Sequence, residues 1–250
     1  MYNREDTMPL KRTGLKLDFS LLNLPEKDDK KTHLPTDDYL KQHIDTLLIQ
    51  MKQMPVSFIK EAENAPDYPM LQQCGYSSRY NGFHLSNDCG DVFIRARREK
   101  PHCAGGFEGD KFHLSVHESQ IAQAVTMLSG ALFSDNNPCD RWKITDISQA
   151  EPDSRVKRGA QITLYVRPVA GEHPYSAELL SEIRRFITGL EYRLTEGGIV
   201  PGEYPLSDIR PPHWQFTSYR NEIISGREGC EADHQRLAES AFYRLMTARD

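Results

Sequence analysis

No run of eighteen apolar residues occurs in this chain, so it holds no ordinary membrane-spanning helix. Its first residues lack an apolar stretch followed by small residues, and no Sec-type signal peptide is expected. Cysteine is scarce: there are five, at positions 74, 89, 103, 139 and 230, an odd number with no Cys-x-x-Cys pair. That excludes a disulfide framework and fits reduced thiols. Positive charge is in slight deficit, with 31 Lys and Arg against 36 Asp and Glu for a net charge of −5. Such a balance argues against a nucleic-acid binder. No Gly-rich phosphate loop follows a strand-like segment, and kinase, P-loop and Gly-x-Ser-x-Gly signals are missing. What is present suffices for a core: 38% of the 250 residues are hydrophobic, including 11 Tyr, 10 Phe and 2 Trp.

The first 35 residues hold a charged run, Glu26 to Lys31, and little periodicity, so residues 1–35 read as a flexible tail. Within it Lys11-Arg12 precedes Leu15-Lys16-Leu17. A basic pair followed by Leu-x-Leu is the pattern of peptides that dock on MAP kinases, cations meeting an acidic patch while two leucines enter apolar pockets. Residues 36–250 read as one domain. Apolar residues at helical spacing predict helices over 40–54, stopped by Pro55, and over 118–133, 176–196 and 231–246. Four segments alternate with period two: 91–98, 110–117, 141–147 and 160–167. Strands and helices mix without a βαβ rhythm. The expected fold is α+β, a twisted, mostly antiparallel sheet flanked by helices.

The polar strand faces gather cations: Arg95, Arg97, Lys111, His113, Arg141, Lys143 and Arg167, with almost no acid. A solvated face can carry such residues. An anion site would need them, since Arg gives planar bidentate donors to phosphate and Lys a compact charge. Lys111 and His113, two apart, project from one face about 7 Å from each other. The set also holds more titratable groups than phosphate binding requires, with His a candidate acid and a crowded Lys a candidate base.

Other chemistries fit less well. Cys89 to Arg95 and Cys230 to Arg236 match the Cys-x5-Arg spacing of cysteine phosphatases. The first has a strand-like Val92-Phe93-Ile94 where a Gly-rich loop belongs, and the second falls in a predicted helix. His113 and His117 could share a metal, but no third ligand stands at a recognisable spacing.

Ordered blocks then carry a resemblance. DVFIRARRE (91–99), FEGDKFHLSV (107–116), RWKITD (141–146), GAQITLYVRP (159–168), SYRNE (218–222), SGREG (225–229) and FYRLM (242–246), with MPVSFIKEA (54–62), resemble the bacterial phosphothreonine lyase effectors of the OspF/SpvC type over residues 40–250. The tail with Lys11, Arg12, Leu15 and Leu17 resembles that family's kinase-docking segment. The resemblance implies a cofactor-free, metal-free β-elimination at the phosphothreonine of pThr-x-pTyr in host MAP kinases, leaving dehydrobutyrine. Carried over by position, it implies Lys143 as general base, His113 as general acid and Lys111 as stabiliser of phosphate and developing charge. Arg97, Arg155 and Arg220 would clamp phosphate with Tyr165, and Arg227 would support them. Phe93 and Phe107 would receive the phosphotyrosine ring, with Arg167 near its phosphate. Arg141 departs from the family's pattern, which has Lys there.

The resemblance further implies type III delivery into a host cell. Charge balance and the lack of a long apolar run leave no nucleic-acid or membrane partner expected, and a small effector with a docking tail suggests a monomer. Two other readings compete: a non-catalytic phosphopeptide or kinase-docking inhibitor, and a phosphatase. The Lys111, His113 and Lys143 set speaks against the first, since a binder needs no acid and base.

Overall fold

The structure, a computed structural model, describes residues 35–56, 58–75, 78–87, 89–169 and 175–248. The docking residues Lys11, Arg12, Leu15 and Leu17, with residues 1–34 of the expected tail, lie outside the described residues, while residue 35 already opens a helix.

Seven strands form a single antiparallel sheet in the order β1 (Ser78–Tyr80), β2 (Phe83–Ser86), β3 (Phe93–Arg98), β5 (Arg141–Thr145), β6 (Ile162–Tyr165), β4 (Asp110–Leu114), β7 (Thr217–Asn221). Period-two alternation sends one set of residues to each face. One face carries Phe83, Ile94, Ala96, Phe112, Leu114, Trp142, Ile144, Ile162, Leu164 and Tyr219, all fully or nearly fully buried. Trp142 stands edge-on to Phe133, with ring centroids 4.9 Å apart, and Phe112 touches the rings of Tyr219 and Phe242. Each such aromatic contributes about 1.5–3 kcal/mol by leaving water, and the ring pairs about 0.5–1.5 kcal/mol more.

Helices supply the other side of this core. The first, α1 (Pro35–Gln53), starts on a proline, has Asp37 and Asp38 in its first turn and Lys52 in its last, and so matches its dipole at both ends. It is followed by α2 (Tyr68–Gln72), α3 (Ile121–Leu132), α4 (Arg155–Arg158) and α5 (Ala177–Glu196). In α5 the Ser176 Oγ accepts from Leu179 N at its start, Gly197 ends it, and Leu180, Ile183, Ile187, Leu190 and Leu194 form the buried stripe. The helix expected over 231–246 is two: α6 (Glu231–Glu239) and α7 (Ala241–Thr247). Ser240 sits between them at φ −57, ψ 129, closing one and capping the other through its Oγ to Tyr243 N. A serine that can bond the next turn favours this break over continuing the helix. No helix of the described residues is long and apolar enough to cross a membrane.

Candidate active site

The sheet face away from the apolar core is ruled by register. Directly paired residues in neighbouring antiparallel strands point the same way. One row therefore runs Ser86, Arg95, Lys143, Thr163, His113, Ser218 across β2, β3, β5, β6, β4 and β7. The next row runs His84, Arg97, Arg141, Tyr165, Lys111, Arg220. Lys143 and His113 thus face the same side with one strand between them, about 10 Å apart at the backbone. The residue between is Thr163, small enough to leave a floor rather than a wall.

A cavity of about 250 Å³ opens over this floor, lined by Lys111, His113, Lys143, Thr163, Arg155, Arg220, Glu222, Arg227 and Phe93. His113 is buried, and its Nδ1 meets Asp208 Oδ2 at 2.6 Å, which leaves Nε2 for the cavity. Asp208 is itself held by Ser218 Oγ at 2.7 Å and Ser207 Oγ at 2.9 Å. Burial lowers the His113 pKa, and the Asp208 carboxylate works against that shift. Burial would raise Asp208, but His113 and the two serine hydroxyls hold it below the usual carboxylate range.

Lys143 makes no hydrogen bond among the described residues; its Nζ rests 3.5 Å from the centroid of the Phe93 ring. Burial first, then the charges of Lys111 and Arg95, push its pKa down to about 8. A lysine in that range has a substantial neutral fraction and can take a proton. Lys111 is also lowered by burial, opposed by its ion pair with Glu222. On the rim, Arg155 opens α4 and donates through Nη1 to Ser207 Oγ at 3.4 Å, while Arg220 is braced by Ser225 through Oγ and the carbonyl. Arg227 has no protein partner among the described residues.

A second cavity of about 330 Å³ adjoins the first, lined by His84, Ser86, Arg95, Arg97, Arg141, Tyr165 and Lys143. Lys143 borders both. Arg97, Arg141 and Arg167 have no hydrogen-bonded partner among the described residues, and Arg167 Nε is buried without one. Uncompensated guanidinium groups side by side disfavour one another; Arg141 is lowered by burial and then by Arg167 and Arg97. Arg97 is exposed and Arg141 and Arg167 are half-buried, so these guanidinium groups are open to an anion without a protein carboxylate to displace. Phe107 stands edge-on to Tyr165 at 5.6 Å.

The structure therefore brings Lys111, His113, Lys143, Arg155, Arg220, Arg227 and Phe93 to one cavity. Arg97, which the resemblance grouped with Arg155 and Arg220, lines the second cavity instead, because its row on β3 pairs it with Arg141. The strand positions of this face carry no acid in either row, but acids from outside them reach the cations: Asp91 pairs with Arg95, Glu222 with Lys111 and Asp208 with His113. These acids come from loops and strand ends, where no period marks them. His117 is a local cap, its Nδ1 accepting from Ser119 N. Among the described residues no three His, Cys, Asp or Glu gather as a metal site. Cys89 is exposed and lines neither cavity.

A lysine with a lowered pKa and a carboxylate-backed histidine, set among unpaired arginines on an antiparallel floor, define an enzyme that moves protons on a phosphorylated substrate. The chain belongs to the OspF/SpvC family, whose model matches residues 9–248. It is 45% identical over 240 residues to the MAPK phosphothreonine lyase of Salmonella typhimurium, covering 96% of this chain and 100% of the relative. Its fold is similar to that of the Chromobacterium violaceum VirA (SpvC) phosphothreonine lyase effector, at TM-score 0.82 and 49% identity over 85% of this chain and 99% of the other. It is also similar to the type III effector and phosphothreonine lyase OspF of Shigella flexneri, at TM-score 0.75 and 44% identity over 84% of this chain and 100% of the other.

Proposed function

We propose that this chain is a phosphothreonine lyase acting on the pThr-x-pTyr motif of host MAP kinases by cofactor-free β-elimination. The observation that carries the reading is the shared row of Lys143 and His113, with Thr163 between them and cations around. Neutral Lys143 removes the Cα proton of phosphothreonine. Its electron pair forms the Cα–Cβ double bond, and the Cβ–O bond breaks toward phosphate. Protonated His113 gives its Nε2 proton to the leaving oxygen, and the products are dehydrobutyrine and inorganic phosphate. Lys111 stabilises the enolate-like charge on the adjoining carbonyl and contacts the phosphate. Arg155 and Arg220 clamp the phosphate, supported by Arg227.

The free site disfavours a charged His113, through burial first and then the charges of Lys111 and Arg155. A bound phosphate dianion neutralises those cations and promotes protonation of His113, so substrate itself loads the acid. The same dianion would raise Lys143, but the arginines compensate its charge while burial persists.

The second cavity suits the phosphotyrosine. Arg97 and Arg141 line it and supply the anion site, with Arg167 acting on Arg141 from beside it. Tyr165 lines it with Phe107 edge-on to its ring, and Phe93 reaches the phosphotyrosine ring from the neighbouring first cavity. Lys143, bordering both cavities, then lies between the two phosphorylated side chains. Family membership supports delivery by a type III system into the host cell, with Lys11, Arg12, Leu15 and Leu17 engaging the kinase; the small size of the chain and its docking tail favour a monomer.

The deciding experiment is mass spectrometry of a pThr-x-pTyr peptide incubated with the protein and EDTA. A product one water lighter than the threonine peptide, with phosphotyrosine intact, supports metal-free elimination. Plain threonine would make the protein a phosphatase. An unchanged peptide that binds tightly would make it an inhibitor by occupancy.

A further inference from the structure

We propose that Glu222 is an intramolecular competitor of phosphate: its carboxylate holds Lys111 in the empty site and leaves when a phosphoryl group arrives. The inference rests on reading the first cavity as the phosphothreonine site. Glu222 is the one carboxylate among the described residues that line it; the other charged or titratable groups there are Lys111, His113, Lys143, Arg155, Arg220 and Arg227. Its Oε1 is ion-paired with Lys111 Nζ, so the carboxylate stands where a phosphoryl oxygen would take the same donor.

The backbone of Glu222 is fixed while its side chain is not. Glu222 N donates to Gly109 O at 3.0 Å. The preceding Asn221 is pinned through Nδ2 to Glu108 O and Asp110 Oδ1, and its Oδ1 accepts from Ile223 N and Ile224 N. Gly109 stands at φ +96, and a Cβ there would meet Asn221 Oδ1 at 2.4 Å, so the turn closes tightly around this anchor. The Glu222 side chain is 45% exposed, whereas Lys111 is 7% exposed. A half-exposed glutamate on a rigid root can swing into water at the expense of one rotamer change.

A carboxylate carries one charge and two oxygens; a phosphate dianion carries two charges and three. With Arg155 and Arg220 also engaged, the phosphate of a bound phosphopeptide displaces Glu222. Free inorganic phosphate lacks the peptide and the second phosphorylated ring, so the tethered carboxylate competes best against it. Glu222 thereby expels the product and spares the enzyme inhibition by phosphate in its surroundings. It is a positioning residue for Lys111 in the empty site and a competitor in the filled one.

The test compares wild type with Glu222→Gln for inhibition of phosphopeptide turnover by inorganic phosphate. The inhibition constant should fall about tenfold, the worth of one charge-assisted contact no longer contested. KM for the peptide should fall less, and Glu222→Asp should lie between. If Glu222 were only a strut for Lys111, the inhibition constant would rise and kcat would fall with it; that result, or an unchanged constant, overturns the proposal. A crystal of the wild-type chain soaked in inorganic phosphate tests it without a variant: Glu222 should have left Lys111, and an intact ion pair beside bound phosphate refutes the displacement. Wild-type protein that neither eliminates the peptide nor binds phosphate would instead remove the phosphate site itself, and the inference with it.

Discussion

His113 Nδ1 meets Asp208 Oδ2 at 2.6 Å across 95 residues of sequence, with the carboxylate wholly buried behind the ring. This contact fixes the tautomer and orientation of His113 and opposes the loss of its charge by burial. Asp208→Asn keeps the shape and removes the charge. It should lower kcat on the order of 10²-fold, the lower range of what a positioned acid contributes, with KM for the phosphopeptide little changed. An equal loss in KM would mean that Asp208 serves binding instead.

Lys143→Ala should abolish elimination while phosphopeptide binding survives; retained turnover would remove Lys143 from the role of base. The same position carries a stability prediction. A lysine held at about 8 instead of its ordinary 10.5 destabilises the folded state at neutral pH, because the unfolded chain binds the proton more tightly. Lys143→Met keeps the packing on Phe93 and drops the charge. Discounted for its partial exposure, it should gain about 1–2 kcal/mol, or roughly 2–8 °C in Tm, in the same variant that loses all turnover. Calorimetry checks it; a lower Tm would contradict the destabilising role.

The pH profile of kcat/KM follows from the order of the two pKa values. His113 is lowered from an ordinary 6.5 and Lys143 lies at about 8, so the working pair, protonated His113 with neutral Lys143, carries one proton in total. That singly protonated form is populated between the two values and loses its proton above the higher one. Activity should therefore fall on the alkaline side with a midpoint near 8. Rates that keep climbing to pH 10 would exclude this pairing.

Gly159→Ala should weaken both fold and site. A Cβ at Gly159 would lie 1.5 Å from Glu203 O, and Gly159 directly follows the helix that opens with Arg155. The chain segment at Glu203 has to move, at about 1–3 kcal/mol. Thermal melting should show the loss, and affinity for inorganic phosphate should fall with it. A variant with wild-type melting would place the two segments further apart.

The docking residues call for a pair of substrates. Replacing Leu15 and Leu17 by Ala should slow attack on folded, phosphorylated kinase and leave attack on a short phosphopeptide unchanged. Equal losses on both would refute a docking role.

Much of the site was legible in the sequence because a strand writes its two faces in alternate letters. Lys111 and His113, Arg95 and Arg97, Arg141 and Lys143 each declare a shared face two residues apart. The alternation says nothing about which strands are neighbours, and neighbour order is what puts Arg97 beside Arg141 and away from Arg155. Asp208 and Glu222 lie off the strands and carry no period, so their pairing with His113 and Lys111 appears only in three dimensions. The strands β1 and β7 hold one large apolar residue each, Tyr80 and Tyr219, among polar ones, so neither displays an apolar alternation. The break at Ser240 was hidden because apolar residues on both sides keep helical spacing although the backbone does not.

The row that holds Lys143, Thr163 and His113 works as a ruler. Its divisions are the hydrogen-bonded spacings between strands, which side-chain motion does not alter and which vanish only when the strands part. The proton donor and acceptor are therefore calibrated by the same bonds that keep the protein folded. Warming the enzyme should leave its working distance intact up to the melting of the sheet, and catalysis should then end in the same cooperative step.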